Sequence, residues 1–374
     1  MRNKNIVLVN QSTGFLMIDI VNAFTKKFGE VILITGNVEK MERDIDTSVK
    51  VDKIIKYNKK NAFKRFYTWI WGTAQIFFKL TIKYRKFDVL FVTNPPTAYL
   101  MTIVIKNPYS LLIYDTYPDA LKNIGISQTN LISRVWGNLN RIIFPKAQSI
   151  FTLSKGMAQN ISQYVSIDKI KVIPNWSGSD EIRPIPKEKN RFIQHQTFKD
   201  DFIVLYSGNM GYTHSVEVIL EVAILLKNEK KLHFVFIGEG KKKTDLIKMA
   251  KNNNLSNCSF LPWQDAEMIP FTLSSANLGV VSLNKETAHL SVPSKTYNLM
   301  AAGVPLLSIS PHDSELSVLI DEYHNGRNFS DDQIVEISEF IIFCQNNPEK
   351  LLSMSNQSLV ASKNYTYKNA LLYL

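Results

Sequence analysis

Cysteine is almost missing from this chain, with Cys258 and Cys344 the only two among 374 residues. Two thiols make neither a disulfide framework nor a metal-ligand set, so both read as buried side chains in a reducing compartment. Long apolar runs are lacking as well. The run at 6–9, behind Met1, Arg2 and Asn3, is too short for a signal peptide and reads as a first β-strand, which predicts a cytoplasmic protein. No helix-turn-helix, zinc or RNA-recognition pattern occurs, so nucleic acid is not an expected partner. Acidic residues are absent from 53–87, where ten basic ones gather.

That absence belongs to a wider asymmetry. Residues 1–180 hold 25 Lys and Arg against 12 Asp and Glu, and residues 181–374 hold 19 against 21, so the whole positive excess lies in the first half. The basic segment interleaves Lys59, Lys60, Lys64 and Arg65 with Phe63, Phe66, Tyr67, Trp69 and Trp71. Aromatic rings flanked by Lys and Arg describe a helix lying on an anionic membrane surface, where each basic group contributes on the order of 1 kcal/mol. Gln75 and Lys79 interrupt 66–84, so that run does not read as a membrane span. Its apolar positions recur at helical spacing (Phe63, Phe66, Tyr67, Ile70, Ala74, Phe77, Phe78). The stripe reads as the face that covers a parallel sheet, leaving the basic residues free to meet a membrane.

Short apolar runs alternate with helical stretches along the rest of the chain. Strands are expected at 6–9, 31–35, 89–92, 111–114, 149–153 and 171–173, then at 202–206, 232–237, 258–261, 278–282 and 306–309. Runs this apolar, separated by helices, mark parallel sheets covered on both faces. The fold class is therefore α/β, with two doubly wound Rossmann-like domains in tandem. The expected division is 1–180, a charged linker at 181–200 holding Pro184 and Pro186, 201–357, and a C-terminal helix at 358–374 that crosses back to the first domain.

In such domains ligands bind beyond the carboxyl ends of the strands, and two of them would share a cleft. The loops expected there are Asn10 to Gly14, Asp115 to Asp119, Ser207 to His214, Gly238-Glu239-Gly240 and Pro262-Trp263-Gln264. A further segment, 292–305, joins a proline turn, a cation and a helix start. Pro293 fixes φ, Ser294 reads as the N-cap, and the opening N–H groups with Lys295 beside them suit a phosphate. Gly303 and Pro305 end that helix. An ordinary well-capped helix reads the same way.

Taken together these segments resemble the retaining nucleotide-sugar glycosyltransferases of family four, which have the GT-B fold, and within them the branch that builds bacterial surface polysaccharides such as capsule, O-antigen and exopolysaccharide. The resemblance rests on Tyr206-Ser207-Gly208-Asn209-Met210-Gly211, Phe236-Ile237-Gly238-Glu239-Gly240, Phe260-Leu261-Pro262-Trp263, Ala276 to Leu283 and Val292 to Pro305. Upstream, Thr93-Asn94-Pro95-Pro96, Tyr114 to Asp119 and Ile173-Pro174-Asn175-Trp176 join it. It implies a sugar donor, expected to be UDP-linked, held by the second domain, and an acceptor held by the first. Gly208 and Gly211 would admit the diphosphate, with Ser294 and Lys295 on its other side; Trp263 and Gln264 would lie near the base, and Asn298 near the ribose. No cofactor and no metal are implied, because protein cations and amides stabilise the leaving diphosphate.

Donor binding is thereby assigned to Gly14, Gly208, Asn209, Gly211, His214, Gly238, Glu239, Gly240, Trp263, Gln264, Pro293, Ser294 and Asn298. Asp115 and Lys295 are the expected catalytic groups, Asp115 standing where many relatives carry a histidine. The acceptor implied is a polyprenyl-diphosphate-linked saccharide, which places the protein on the inner face of the plasma membrane. Two family glutamates are replaced by Leu290 and Asn298, and the residues expected to shape the sugar pocket, 287–290 and 10–15, carry no readable code. The replaced glutamates leave open a catalytically silent nucleotide- or partner-binding GT-B protein. A sugar-nucleotide epimerase is the other alternative.

Overall fold

The structure is a computed structural model and describes residues 4–39, 43–58, 60–124, 130–212, 214–285, 288 and 292–374. Asn3, Lys59, Thr213, Thr287 and Leu290 lie outside the described residues, and with them part of the expected sugar pocket. The chain forms two compact units, residues 1–174 with 367–374, and residues 175–366.

In the first unit, strands β1 (Ile6–Val9), β3 (Val31–Thr35), β5 (Lys50–Lys53), β6 (Asp88–Val92), β7 (Tyr109–Ile113), β8 (Ile150–Thr152) and β9 (Ile170–Val172) form one sheet. Its order is β5-β3-β1-β6-β7-β8-β9, and every pairing is parallel. A small parallel pair, β2 (Ser12–Thr13) and β4 (Asn37–Val38), steadies the loop that leaves β1. The central strands are buried on both faces, as crossover helices require.

Helix α1 (Phe15–Phe24) follows β1, and α2 (Ala62–Phe78) joins β5 to β6. The expectation for the α2 stripe is corrected by its packing. Thr68, Trp69 and Ile76 face inward, while Phe63, Phe66, Tyr67, Ile70 and Phe78 are exposed, Phe63 to 80%. Polar anchors turn the helix this way. The Gln11 amide donates to the carbonyls of Thr68 (2.8 Å) and Ile55 (3.1 Å), and the Gln75 carbonyl accepts from the Ile55 N–H (2.7 Å). Lys79 pairs with Asp52. Among the described residues no helix is long and apolar enough to cross a membrane. Helices α3 (Leu131–Ile143) and α4 (Lys155–Ile161) complete the α-helices among the unit's described residues, and the closing segment Tyr367–Tyr373 packs beside α1.

In the second unit, β10 (Phe202–Ser207), β11 (Leu232–Ile237), β12 (Cys258–Leu261), β13 (Leu278–Ser282), β14 (Leu306–Ile309) and β15 (Gly326–Phe329) run in the order β12-β11-β10-β13-β14-β15, again all parallel. Helices α5 (Val216–Leu225), α6 (Lys243–Asn252), α7 (Ile269–Ser274), α8 (Ser294–Ala301), α9 (Glu315–Tyr323), α10 (Ile334–Asn346) and α11 (Pro348–Ser362) belong to it. The segment 181–200 is no linker. Ile182, Phe192, Ile193 and Phe198 are buried in the core of this unit, because their apolar surface outweighs the polar composition around them. The expected helix 358–374 is also divided: α11 ends at Ser362 in the second unit, and residues 367–374 belong to the first.

Both sheets start in the middle and grow first to one side and then to the other. Each therefore has a switch point, between β1 and β6 in one unit and between β10 and β13 in the other. A cavity opens at the carboxyl ends of the strands at each switch point.

Candidate active site

In the second unit a cavity of about 360 Å³ is lined by Ser207, Gly208, Asn209, His214, Trp263, Gln264, Pro293, Ser294, Lys295 and Asn298, with Ile237, Ile269, Thr272, Leu273 and Leu299 as its less polar part. One wall is the loop after β10, which is zipped to the loop after β11. The Gly208 N–H donates to the Ile237 carbonyl (2.9 Å), the Met210 N–H to Glu239 (2.8 Å) and the Lys242 N–H to Met210 (3.0 Å). Gly238 makes this approach possible. Its φ is +136°, and a Cβ there would lie 2.1 Å from the Gly208 carbonyl oxygen. Gly238→Ala is expected to lower stability by about 2–4 kcal/mol, read as a fall in the thermal midpoint. An unchanged midpoint would remove the zipped-loop account.

Gly238, Glu239 and Gly240 are consequently not lining residues, contrary to their assigned donor contact. The two glycines let one loop touch another, and Glu239 is exposed and paired with Lys243 at 2.7 Å. Gly211 likewise lies behind the Asn209 side chain rather than on the wall. Gly14 lines a cavity of the first unit instead.

The opposite wall is the start of α8. The N-cap is Pro293, in extended backbone, and Ser294 is the first helical residue, so the expected Ser294 cap is displaced by one position. At the other end Gly303 has φ +71°, with Gly303 N–H to Met300 O and Val304 N–H to Leu299 O, the paired closure of a Schellman motif. The Lys295 stem is half-buried, but its ammonium is shut off from solvent and has no hydrogen-bond partner. It sits 4.2 Å from the centre of the Tyr206 ring. A Cβ on Gly208 would approach it to 3.2 Å. Burial pushes the Lys295 amine down to about 7. A lone ammonium out of water costs several kcal/mol, and a ring face returns about 2 of them, so the arrangement is favourable once an anion joins it.

Burial first and the Lys295 charge second lower the His214 pKa below the ordinary imidazole value, which favours the neutral ring. Its Nδ1 donates to the Ser282 carbonyl oxygen at 2.8 Å, which leaves Nε2 as an acceptor. The Asn298 side-chain oxygen is already taken, accepting from Ser177 Oγ (3.0 Å) and the Gly178 N–H (3.1 Å). Only its NH2 group remains to donate into the cavity. Trp263 presents a half-exposed ring, and the Gln264 amide folds back to donate to the Pro262 carbonyl. Sequence reasoning missed Ile269, Thr272 and Leu273, because α7 carries no glycine or charge to mark it.

Asp115 belongs to a separate cavity of about 480 Å³ in the first unit, lined also by Asn10, Ser12, Gly14, Glu39, Tyr57, Trp69, Thr93, Asn94, Tyr114 and Tyr117. Its backbone N–H donates to Thr93 Oγ1 at 3.1 Å. The carboxylate opens onto the cavity, yet the surrounding protein displaces enough water to raise it above the ordinary carboxylate value. Tyr57, Trp69 and Glu39 were not anticipated. They come from segments far apart in the chain, which only the sheet order brings together.

Two Rossmann-like parallel-sheet domains, each with a cavity at its switch point, are the architecture of the GT-B glycosyltransferases. Residues 187–359, within the second unit, match the family described as glycosyl transferases group 1, and this match together with the relatives named next makes the chain a glycosyltransferase. A protein of Pseudomonas aeruginosa named as a probable glycosyltransferase, WbjE, is 28% identical over 347 residues, 88% of this chain and 85% of the relative. WcaI of Escherichia coli (strain K12), provisionally named as a colanic acid biosynthesis glycosyl transferase, is 26% identical over 219 residues, 57% of this chain and 54% of the relative. Among solved structures, Anabaena Alr3699/HepE in complex with UDP and glucose superposes with a TM-score of 0.74 at 14% identity, covering 99% of this chain and 98% of the other.

Proposed function

We propose that the protein is a retaining glycosyltransferase that moves a sugar from a UDP-linked donor to a polyprenyl-diphosphate-linked saccharide during bacterial surface polysaccharide biosynthesis, of capsule or O-antigen type. The observation that carries the reading is the buried, unpartnered Lys295 ammonium at the start of α8 facing the Gly208 loop. The donor diphosphate occupies this space, between the first N–H groups of α8 and the glycine loop, and the ammonium neutralises the charge that grows as the nucleotide leaves. The base lies against Trp263 and Ile269, and the Asn298 NH2 donates to a ribose hydroxyl. His214 Nε2 accepts from a hydroxyl of the transferred sugar.

The acceptor hydroxyl attacks the anomeric carbon on the face from which the diphosphate departs, the bond to the phosphate oxygen breaks, and the proton passes to a phosphate oxygen. Asp115 orients that hydroxyl by accepting its hydrogen bond before the proton leaves. No step calls on a metal. The acceptor's lipid places the enzyme on the inner face of the membrane, where the basic first half meets anionic headgroups. The colanic acid name of one relative and the UDP-bound neighbour support this reading. Calorimetric titration with UDP, GDP and ADP is expected to give binding by UDP at least tenfold tighter than by the other two. Equal affinities would remove the UDP assignment, and no binding at all would favour a catalytically silent protein.

A further inference from the structure

Helix α2 presents two different surfaces, and the residues between them bear on the acceptor. On its inner side Trp69 lines the Asp115 cavity, stacked with Tyr57 (centroids 6.0 Å, planes 16° apart) and edge-on to Tyr117. The Trp69 indole N–H and the Asn10 side-chain oxygen, on two residues that line the cavity, are buried without partners. Flat rings with a few unsatisfied donors and acceptors are suited to a pyranose, whose C–H faces are apolar and whose edges are hydroxyls. The charged groups lining the cavity are the carboxylates Asp115 and Glu39, which exclude an acidic sugar.

One turn back from Trp69 stands Arg65. Its Nε is buried without a partner. Four residues apart, Arg65 and Trp69 share one face of α2, and the Arg65 charge opposes the rise that burial causes in the Tyr57 and Tyr117 phenols. On the outer side Phe63, Phe66, Tyr67 and Ile70 are exposed, flanked by exposed Lys60 and Lys64. The four residues from Arg65 to Trp69 rise about 6 Å along the axis of α2, close to the length of one pyranose.

We propose that the first unit binds its acceptor as a single neutral sugar on a lipid diphosphate, with the pyranose against Tyr57 and Trp69, the diphosphate on Arg65 and the hydrocarbon chain along the exposed stripe of α2. This rests on the glycosyltransferase reading above and deepens it. The enzyme then adds the second sugar of the chain, and the preceding reaction is one that joins a sugar 1-phosphate to a lipid phosphate. Arg65 and Trp69 are positioning residues for the acceptor, and neither lines the donor cavity.

The test uses decyl diphosphates carrying one glucose, galactose, N-acetylglucosamine or N-acetylgalactosamine, their disaccharide counterparts, and decyl diphosphate alone, each titrated into the full chain. At least one monosaccharide probe is expected to bind. Arg65→Gln should weaken that probe at least tenfold and leave UDP binding unchanged. Trp69→Leu should weaken the sugar-bearing probe tenfold without affecting decyl diphosphate; Tyr57→Leu serves in its place if the tryptophan variant does not fold. A disaccharide probe bound as tightly, with the same Arg65 dependence, overturns the single-sugar acceptor. So does failure of every sugar probe in a protein that binds UDP. Failure of the sugar probes and UDP together would instead overturn the glycosyltransferase reading beneath.

Discussion

Lys295→Met is expected to lower kcat/KM for the sugar donor by about 2–4 kcal/mol, roughly 30- to 1,000-fold, the loss found when one donor to a developing anion is removed. Methionine keeps the unbranched stem that crosses Tyr206, so the change isolates the charge. The same substitution has a second signature in stability. An amine lowered to about 7 in the folded protein, against about 10.4 in an unfolded chain, means that the unfolded chain binds more protons between those pH values. The ligand-free protein therefore gains stability as pH rises across that window, and Lys295→Met flattens the slope. Full turnover by the variant would remove the phosphate role of Lys295, whatever its burial.

Lys60→Glu with Lys64→Glu is expected to weaken binding to phosphatidylglycerol vesicles by about 2–4 kcal/mol, at least 30-fold, since each reversal removes one attraction and adds one repulsion near the surface. Both side chains are exposed and lie beside the uncovered rings of α2. Binding of UDP should not change, because the donor cavity is built by the other unit. Equal binding of the two proteins to the vesicles would remove the membrane surface from the account.

The central strands and the edge strands β9 and β12 were legible, and the edge strands β5 and β15 were not. Ile6–Val9, Val31–Thr35 and Leu232–Ile237 are apolar apart from Thr35 and His233, because helices cover both faces of the sheet. Lys50–Lys53 and Gly326–Phe329, at the sheet edges, read Lys-Val-Asp-Lys and Gly-Arg-Asn-Phe and carry no such signal. The α2 stripe misled for a related reason. Periodicity reveals that a helix has an apolar face, but Gln11 and Gln75, polar residues that bond to backbone from inside, decided which face turned inward.

The candidate site was legible where backbone geometry demanded a residue type. Gly208, Lys295 and the loop after β10 follow from strand ends and a helix start. By contrast, Gly238 and Gly240 carry a glycine's signal for a different purpose, the contact of loop with loop. The Asn298 oxygen could not be known to be occupied, since Ser177 and Gly178 lie more than a hundred residues away. The aromatic wall of Tyr57, Trp69 and Tyr117 depends on the order of the strands, which no local pattern encodes.

The central claim is that Lys295 waits in the folded protein for a diphosphate. It is tested most directly by titrating UDP at pH 8 in buffers of different ionisation enthalpy. With a free amine near 7 most molecules lack the proton at that pH, and the bound anion restores it, so the account predicts uptake of most of a proton per UDP by the natural protein and none by Lys295→Met. Binding of UDP without proton uptake, and with the same affinity in the variant, would contradict it.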